Sequence, residues 1–451
     1  MQTQRDHVHA YSFNMGRISS ALVEGNSTNA QIPGRRPLTG LLLGVILSVL
    51  IVAGFGVYGW IKPGGSKAYQ QQGAILVEKE SGTRYVYLKG RLHPVPNLAS
   101  ALLIEGPSAT VKLISQASLK DVPRGAELGI ADAPQTIPGS ADLVRGPWLA
   151  CLPGSVVDDP GDGMGLNLNP SAPATALHAD SFALVRSGDG TGYVVARGHK
   201  YPMVGDAALA ALGAGDARPA LAPDTWLKWL PTGATLTPPK IPGAGAPGPK
   251  VAGRQYPVGT LFRQRGKGGA EQLFVLRDDG LAPIGRMEFL LAAAVAHQRP
   301  VPLSAVDAVA AQRSGDRSEV GRLPDLSRLR WQHPDGGVLC LRQHPAGTSV
   351  RSQVVYAARA DAAVSSTGHP SVRVAPGTGL LTVAAPVTRA SVQQPYLISD
   401  NGVAYPLTGD DTVSSLRLDA ARTIPFPAAL LSSLRRGPTL SRSAVTQLGG
   451  G

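Results

Sequence analysis

The sequence predicts an α+β protein: an N-terminal amphipathic helix, a single transmembrane helix, and then a large domain of four hairpin-plus-helix repeats around a mixed central core. Three observations predict it. The stretch Leu38–Ile61, LTGLLLGVILSVLIVAGFGVYGWI, contains no charged residue in 24 positions. A strand–turn–strand–helix pattern recurs four times downstream of it. Cysteine occurs only at Cys151 and Cys340, both after the uncharged stretch.

In chain order, the first element is a helix running from about Arg5 to Val23. Val8, Tyr11, Met15, Ile18 and Leu22 fall at spacings of 3, 4, 3 and 4, which places them on one helical face. Gly25 and Asn26 then supply a stop signal. Residues 1–37 hold no folded domain in which to bury this stripe, so it is expected to dock on a partner helix. Arg5 and Arg17 are the only Arg or Lys residues within the helix, which makes a purely lipid-bound role the weaker reading.

The uncharged stretch, 38–61, reaches about 36 Å at 1.5 Å per residue, enough to cross a hydrocarbon layer of about 30 Å with some tilt. Tyr58 and Trp60 sit near its end, where amphipathic rings favour the interface. It is preceded by 37 residues and followed by no A-x-A, unlike a cleaved signal peptide. Arg35 and Arg36 on one side balance Lys62 and Lys67 on the other, so flanking charge does not orient it. The cysteines do. An even pair in an otherwise cysteine-free domain suits a disulfide in an oxidising compartment, the other reading being two unrelated buried thiols. A bridge would close a loop of 189 residues, worth about 5 kcal/mol at most in the chain-entropy account. Residues 1–37 are therefore placed in the cytoplasm and 62–451 outside the plasma membrane.

Four strings carry the repeat: RYVYLKGRLHPVPNLASALLI (84–104), GYVVARGHKYPMVGDAALAAL (192–212), QLFVLRDDGLAPIGRMEFLLA (272–292) and PYLISDNGVAYPLTGDDTVSSL (395–416). Each has an apolar run, a turn glycine (Gly90, Gly198, Gly280, Gly402), then a proline (Pro94, Pro202, Pro283, Pro406), and then helical apolar spacing. The Gly-to-Pro step is 4, 4, 3 and 4 residues, the third copy being one short. This reads as strand, tight turn, short edge strand ended by Pro, then helix. Each unit has too little apolar surface to stand alone, so the copies must pack on something. The expected division is repeat 1 at 73–120, core at 121–175, repeat 2 at 180–230, a low-complexity linker at 231–250, repeat 3 at 251–300, core at 320–360, repeat 4 at 372–436, and a frayed tail at 437–451.

Composition narrows the function classes. The formal charge of +12 is spread without a run of five basic residues or aromatic interleaving, so nucleic acid is not an expected partner and a solvated arginine-rich surface is. No G-x-x-x-x-G-K-[ST] occurs: Gly266-Lys267 is followed by Gly268, and Gly64-Gly65-Ser66-Lys67 lacks the spacing. There is no H-E-x-x-H, C-x-x-C or G-x-S-x-G. His93, His333, His344 and His369 all precede Pro, which suggests extended or turn positions. His333, His344 and Asp335 read as solvated turn residues more readily than as a metal cluster, and DDPGDG at 158–163 lacks the spaced ligands of a calcium loop. No catalytic, cofactor-binding or metal-binding residues are assigned.

The strings QRDHVHAYSFNMGRISSALVEGN and GRRPL before the span resemble one family, as do GTRYVYLKGRLHPVPNLASALLI, RGAELGIADAP (124–134) and GPWLAC (146–151) after it. That family is EccB, a membrane component of the actinobacterial type VII (ESX) secretion machinery, and the likeness runs in order along the chain. The resemblance implies a single-pass plasma-membrane protein with a cytoplasmic N-terminus and a disulfide-linked extracytoplasmic domain, the disulfide carrying over to Cys151 and Cys340. It implies assembly with the EccC ATPase, EccD, EccE and the mycosin protease, and with further copies of itself. Members of the family have been described as ATPases, for which these residues supply no phosphate cradle and no cofactor site. The expectation is a non-enzymatic structural subunit; a cell-wall-binding anchor or an extracytoplasmic ATPase are the alternatives.

Overall fold

The computed structural model describes residues 3–25, 35–61, 67–152, 164–266, 269–297, 299–363, 371–388 and 393–447. They form two compact units, Met1–Lys67 with Ile114–Asp121, and Ala68–Leu113 with Val122–Gly451. The first unit holds α1 (Gln4–Glu24) and α2 (Arg35–Ile61). α1 ends at Gly25, whose left-handed φ of 67° is a conformation glycine adopts without steric cost. α2 starts three residues ahead of the uncharged stretch, and Pro37 is tolerated because it lies in the first turn. Leu38–Tyr58 is the one helical segment among the described residues long and apolar enough to cross a membrane.

The second unit is α+β. Repeat R1 comprises β1 (Ala74–Glu78), β2 (Arg84–Leu88), β3 (Arg91–Val95), α3 (Leu98–Glu105) and β4 (Thr110–Ile114), followed in the chain by α4 (Gln116–Leu119). Three core strands follow: β5 (Trp148–Cys151), β6 (Gly165–Asn167) and β7 (Thr175–Ala176). R2 repeats the order with β8 (Ser181–Arg186), β9 (Gly192–Ala196), β10 (His199–Pro202), α5 (Ala207–Ala211), β11 (Ala220–Leu221) and α6 (Asp224–Leu227). After a hairpin of β12 (Pro247–Val251) and β13 (Arg254–Pro257), R3 has β14 (Leu261–Arg265), β15 (Glu271–Arg277), β16 (Gly280–Pro283), α7 (Arg286–Ala296), β17 (Val301–Leu303) and α8 (Ala305–Ala310). β18 (Arg330–Trp331), β19 (Gly337–Ala346), β20 (Ser349–Ala358), α9 (Arg359–Ala362) and β21 (Ser371–Arg373) return to the core. R4 closes the series with β22 (Leu380–Ala385), β23 (Tyr396–Ile398), β24 (Val403–Pro406), α10 (Thr412–Ser415), β25 (Ile424–Pro427) and α11 (Ala428–Ser433), ahead of β26 (Arg435–Arg436) and α12 (Arg442–Gln447).

Each repeat sheet runs third–second–first–fourth strand. In R2, R3 and R4 the fourth strand lies parallel to the first, the result of a helical crossover. The hairpins share one cross-strand pair: Tyr85 faces Pro94, Tyr193 faces Pro202, Phe274 faces Pro283 and Tyr396 faces Pro406. Each proline thus sits under an aromatic on the outer strand, where its missing N–H costs least. In R1 the strand continues one residue past its proline, to Val95.

The third strand does not stay an open edge. A segment after the second helix returns along it, with Leu92 N–H donating to Pro123 O at 2.8 Å and Gly125 N–H to Leu92 O at 2.9 Å. The same pair of bonds joins Lys200 to Pro231 and Gly233, and Leu281 to Gln312 and Ser314, while Gly437 N–H donates to Ala404 O. Gly125, Gly233 and Gly437 each follow their turn glycine by 35 residues. A Cβ on Gly233 would lie 2.2 Å from the Tyr201 ring, on Gly437 2.2 Å from the Tyr405 ring, and on Gly125 2.3 Å from the His93 ring. The ring preceding each proline therefore covers a glycine from the return segment.

The packing order in space differs from the order in sequence. R1 and R4 share one apolar cluster (Val86, Leu102 and Leu128 with Leu397, Leu416 and Leu440), and R2 and R3 share another (Phe182 and Tyr201 with Met287 and Leu291). The largest cluster joins R2 and R4 to the central sheet through Trp148, Leu341, Trp226 and Phe426. The array is R1–R4–core–R2–R3. In both outer joints equivalent helices meet, α3 with α10 and α5 with α7. The central sheet has the order β21-β6-β5-β19-β20-β7, and β5 and β19 place Cys151 directly opposite Cys340 in a buried disulfide.

Two segments read from sequence as loose are ordered. Leu440 and Val445, in the expected tail, are fully buried between R4 and R1, and Arg442 Nε donates to Leu103 O at 3.0 Å. Leu236, in the expected linker, is buried beneath R2 and bonds to Pro202 O at 2.7 Å. Their glycines and prolines shape the return segments, and burial is decided by partners far away in the chain. Residues 448–451 and 153–163 lie outside the described residues.

The covered glycines make a stability prediction. Gly437→Ala or Gly233→Ala should destabilise the domain by about 1–3 kcal/mol through overpacking. Gly188→Ala, with open space around the new methyl, should stay within about 0.5 kcal/mol of the parent. Urea midpoints of the three variants check this.

Candidate interaction surfaces

The head of α1 is capped by its own residues. Thr3 and Asp6 form a reciprocal cap: the Asp6 carboxylate accepts from the Thr3 amide at 3.0 Å and from its hydroxyl at 2.7 Å. These bonds, the hydroxyl's first, hold the Asp6 carboxyl below its ordinary range. Val8, Tyr11, Met15, Ile18 and Leu22 are all more than half exposed, so the stripe is presented outward. Phe13, off that line, is exposed as well and was not legible as part of the stripe.

The predicted turn residues separate into three geometries. Lys89-Gly90 and Arg197-Gly198 are two-residue loops with positive φ at both positions (48° and 79°, 50° and 75°), as hairpins of this length prefer. Gly402 has φ 73° in a longer loop whose Ser399 amide donates to Val403 O at 3.1 Å. In R3 the turn is Asp278-Asp279, and Gly280 is already in the strand opposite Arg277. The position matching Gly90 is Asp279, which restores the four-residue step to Pro283 and explains the short third copy.

Residues considered for chemistry are placed apart. The His93 Nδ1–H donates to Ala126 O at 2.8 Å, a structural bond to the return segment. His333 lies 3.2 Å from Asp335 in an exposed turn, whereas His344 is on β19 facing Arg351. The Gly266 amide is used within its hairpin, donating to Ala270 O at 2.7 Å, so it does not open a helix N-terminus as a phosphate cradle would. Among the described residues no three His, Cys, Asp or Glu side chains group for a metal. Lys267, Gly64–Ser66, 158–163 and His369 lie outside the described residues. Lys200 and Tyr356 serve the packing. Lys200 donates to Leu227 O and Leu230 O at the end of α6, with burial lowering its pKa, and burial pushes Tyr356 up to about 12 while its hydroxyl donates to Gln332 O.

Residues 1–448 match the family model described as "Type VII secretion system ESX-1, transport TM domain B". The "ESX-1 secretion system ATPase EccB1" of Mycobacterium tuberculosis is 26% identical over 460 residues, covering 98% of this chain and 94% of that protein. The "ESX-3 secretion system ATPase EccB3" of Mycolicibacterium smegmatis is 27% identical over 472 residues, covering 97% and 89%. Among solved structures, a chain of an intact ESX-5 inner membrane complex superposes with a TM-score of 0.56 at 22% identity, covering 99% of this chain and 95% of that one. An EccB3 dimer from the ESX-3 core complex gives 0.57 at 23% identity, covering 82% and 99%. At these identities the solved structures show a shared fold.

The cap at the head of α1 sets a pH response. The first turn gains support above the ordinary carboxylate pKa and loses it as pH falls through the lowered Asp6 value. Thr3→Ala should bring the Asp6 titration, followed by NMR, back toward 3.8.

Proposed function

The chain belongs to the EccB family of type VII (ESX) secretion membrane proteins, and from that membership we propose that it is a non-enzymatic structural subunit of the inner-membrane secretion complex. α2 anchors it, with the N-terminus in the cytoplasm and the repeat domain outside the membrane. The observation that carries this reading is an exposed apolar stripe on α1, joined by one apolar helix to a modular body of four repeats around a cystine-linked core. The buried cystine supports an oxidising compartment for that body. α1 docks on a helix of a neighbouring subunit, and the repeat array assembles with further copies around the exit route. EccC, EccD, EccE and the mycosin protease are the proposed neighbours. The relatives' names carry the word ATPase; for this chain, turnover traceable to one residue would be the sign of that second activity.

Purification in mild detergent from cells making the whole machinery should recover this chain within a large assembly, and recovery as a lone monomer would oppose the proposal. Tyr11→Asp combined with Ile18→Asp should abolish that co-recovery while leaving membrane insertion intact. Wild-type co-recovery by the double variant removes the docking role of α1. Sedimentation of the chain with purified cell wall, independent of the other subunits, would favour the wall-anchor reading.

A further inference from the structure

The four repeats differ at one edge. In R2 the fourth strand is two residues long between Pro219 and Pro223; in R3 it contains Pro302; in R4 it contains Pro425 and Pro427 and is buried throughout. Proline and shortness are the usual protections of a sheet edge. β4 of R1 lacks both, its one charged side chain being Lys112. It is a five-residue edge strand of sequence TVKLI, the outermost of its sheet. Its alternation is inverted as well: the apolar side chains Val111 and Leu113 face solvent, 55% and 65% exposed, while Lys112 lies between them on the other face. Apolar side chains this exposed occur also at Val204 of R2 and at Val295, Val306 and Val309 of R3, but on helices or loops; among the described residues β4 is the fourth strand that carries them.

Two further facts say what lies opposite this edge. Seven peptide steps join Ile61, the end of the apolar helix, to Ala68, the first residue of the R1 unit, a reach of at most about 25 Å. The start of β4 is held close to that entry, since Thr110 N–H donates to Gly73 O at 2.7 Å. Lysine is also concentrated here: six of the eleven lysines fall between 62 and 120, and none follows Lys267. In R1, Lys79 and Lys89 are exposed, as is Arg91 beside the Lys89 turn. Exposed ammonium side chains in the same small repeat as an apolar strand edge, tethered within a few residues of a membrane span, are the composition that binds an anionic lipid surface.

We propose that R1 binds an anionic lipid surface, with Val111 and Leu113 inserted at the headgroup interface and the exposed lysines Lys79 and Lys89 paired with anionic headgroups. The inference rests on the single-span reading. It makes R1 the lipid-contacting foot of the repeat domain.

The test uses the full chain in nanodiscs. Both native cysteines are locked in a buried disulfide, so a thiol introduced by Leu113→Cys or, as control, Val309→Cys on α8 takes a fluorophore selectively. Discs of phosphatidylcholine with one-third phosphatidylglycerol, carrying a spin-labelled lipid quencher near the headgroup, should quench the label at 113 at least twofold more than that at 309. Pure phosphatidylcholine, 0.5 M salt, or Lys79→Glu with Lys89→Glu should each bring quenching at 113 down toward the control. Equal quenching at 113 and 309 overturns the inference. So does shielding at 113 that follows protein concentration and ignores lipid charge, which would mean a protein contact. Flotation scores insertion separately: a chain that fails to float with the discs contradicts the single-span reading itself, whereas a chain that floats with 113 unquenched contradicts only the foot.

Discussion

The repeat domain depends on one pair of strands. β5 and β19 run antiparallel at the centre of the six-stranded sheet, in the register that sets Cys151 against Cys340, Ala150 against Leu341 and Trp148 against Gln343. Side chains alternate across a strand, so this register sends Trp148, Ala150, Leu152, Leu339 and Leu341 to the face that receives R2 and R4, and Leu149, Cys151, Val338 and Cys340 to the other. A slip of one residue would exchange the two sets and strand both inner repeats. The polar atoms of that face agree with the register: Trp148 Nε1–H donates to Gln343 Oε1 at 3.0 Å, and Trp226 Nε1–H from R2 donates to Ala150 O at 3.0 Å. The disulfide closes the same register covalently, across 189 residues.

That separation recurs elsewhere. The hairpin pair Leu88–Arg91 of R1 and its counterpart Arg277–Gly280 of R3 are also 189 residues apart, as are the return residues Gly125 and Ser314. From the first turn to the cysteine the two halves keep step without a net insertion. Each half runs repeat, core strands, repeat, and the halves meet at the cystine. This accounts for the spatial order: R1 of the first half packs on R4 of the second, and R3 of the second packs on R2 of the first. The entries match too, since Leu143 bridges to Gly379 at the head of R4 and β18 pairs with the head of R2.

How much of this was legible follows from where each signal resides. The helix stripe, the span and the four hairpins were readable because their causes are local: 3.6-residue spacing, an uncharged run, a glycine or proline at a turn. R3 was misread by one residue because Gly280 looked like the turn glycine while Asp278-Asp279 makes the turn. The return segments were missed. Gly125, Gly233 and Gly437 are small because a ring about 32 residues earlier lies over them, and only the constant 35-residue interval from each turn glycine would have shown it. The burial of Leu440 and Val445 was hidden for the same reason. Of the exposed apolar surfaces, the sequence named α1's stripe, but the odd edge of R1 emerged only when the fourth strands of all four repeats could be compared side by side.

A scaffold of this kind transmits position only if its halves are one body, and the cystine-locked strand pair is what makes them so. The direct measurement is urea unfolding of the full chain in detergent, followed by tryptophan fluorescence with Trp60, Trp229 and Trp331 replaced by Phe so that the buried Trp148 and Trp226 report, for this parent and for Cys151→Ala with Cys340→Ala in the same background. A loss of about 2–5 kcal/mol, with both tryptophans reporting earlier loosening of the centre, is the predicted result. A midpoint unchanged within about 0.5 kcal/mol would contradict the central role given to this pair.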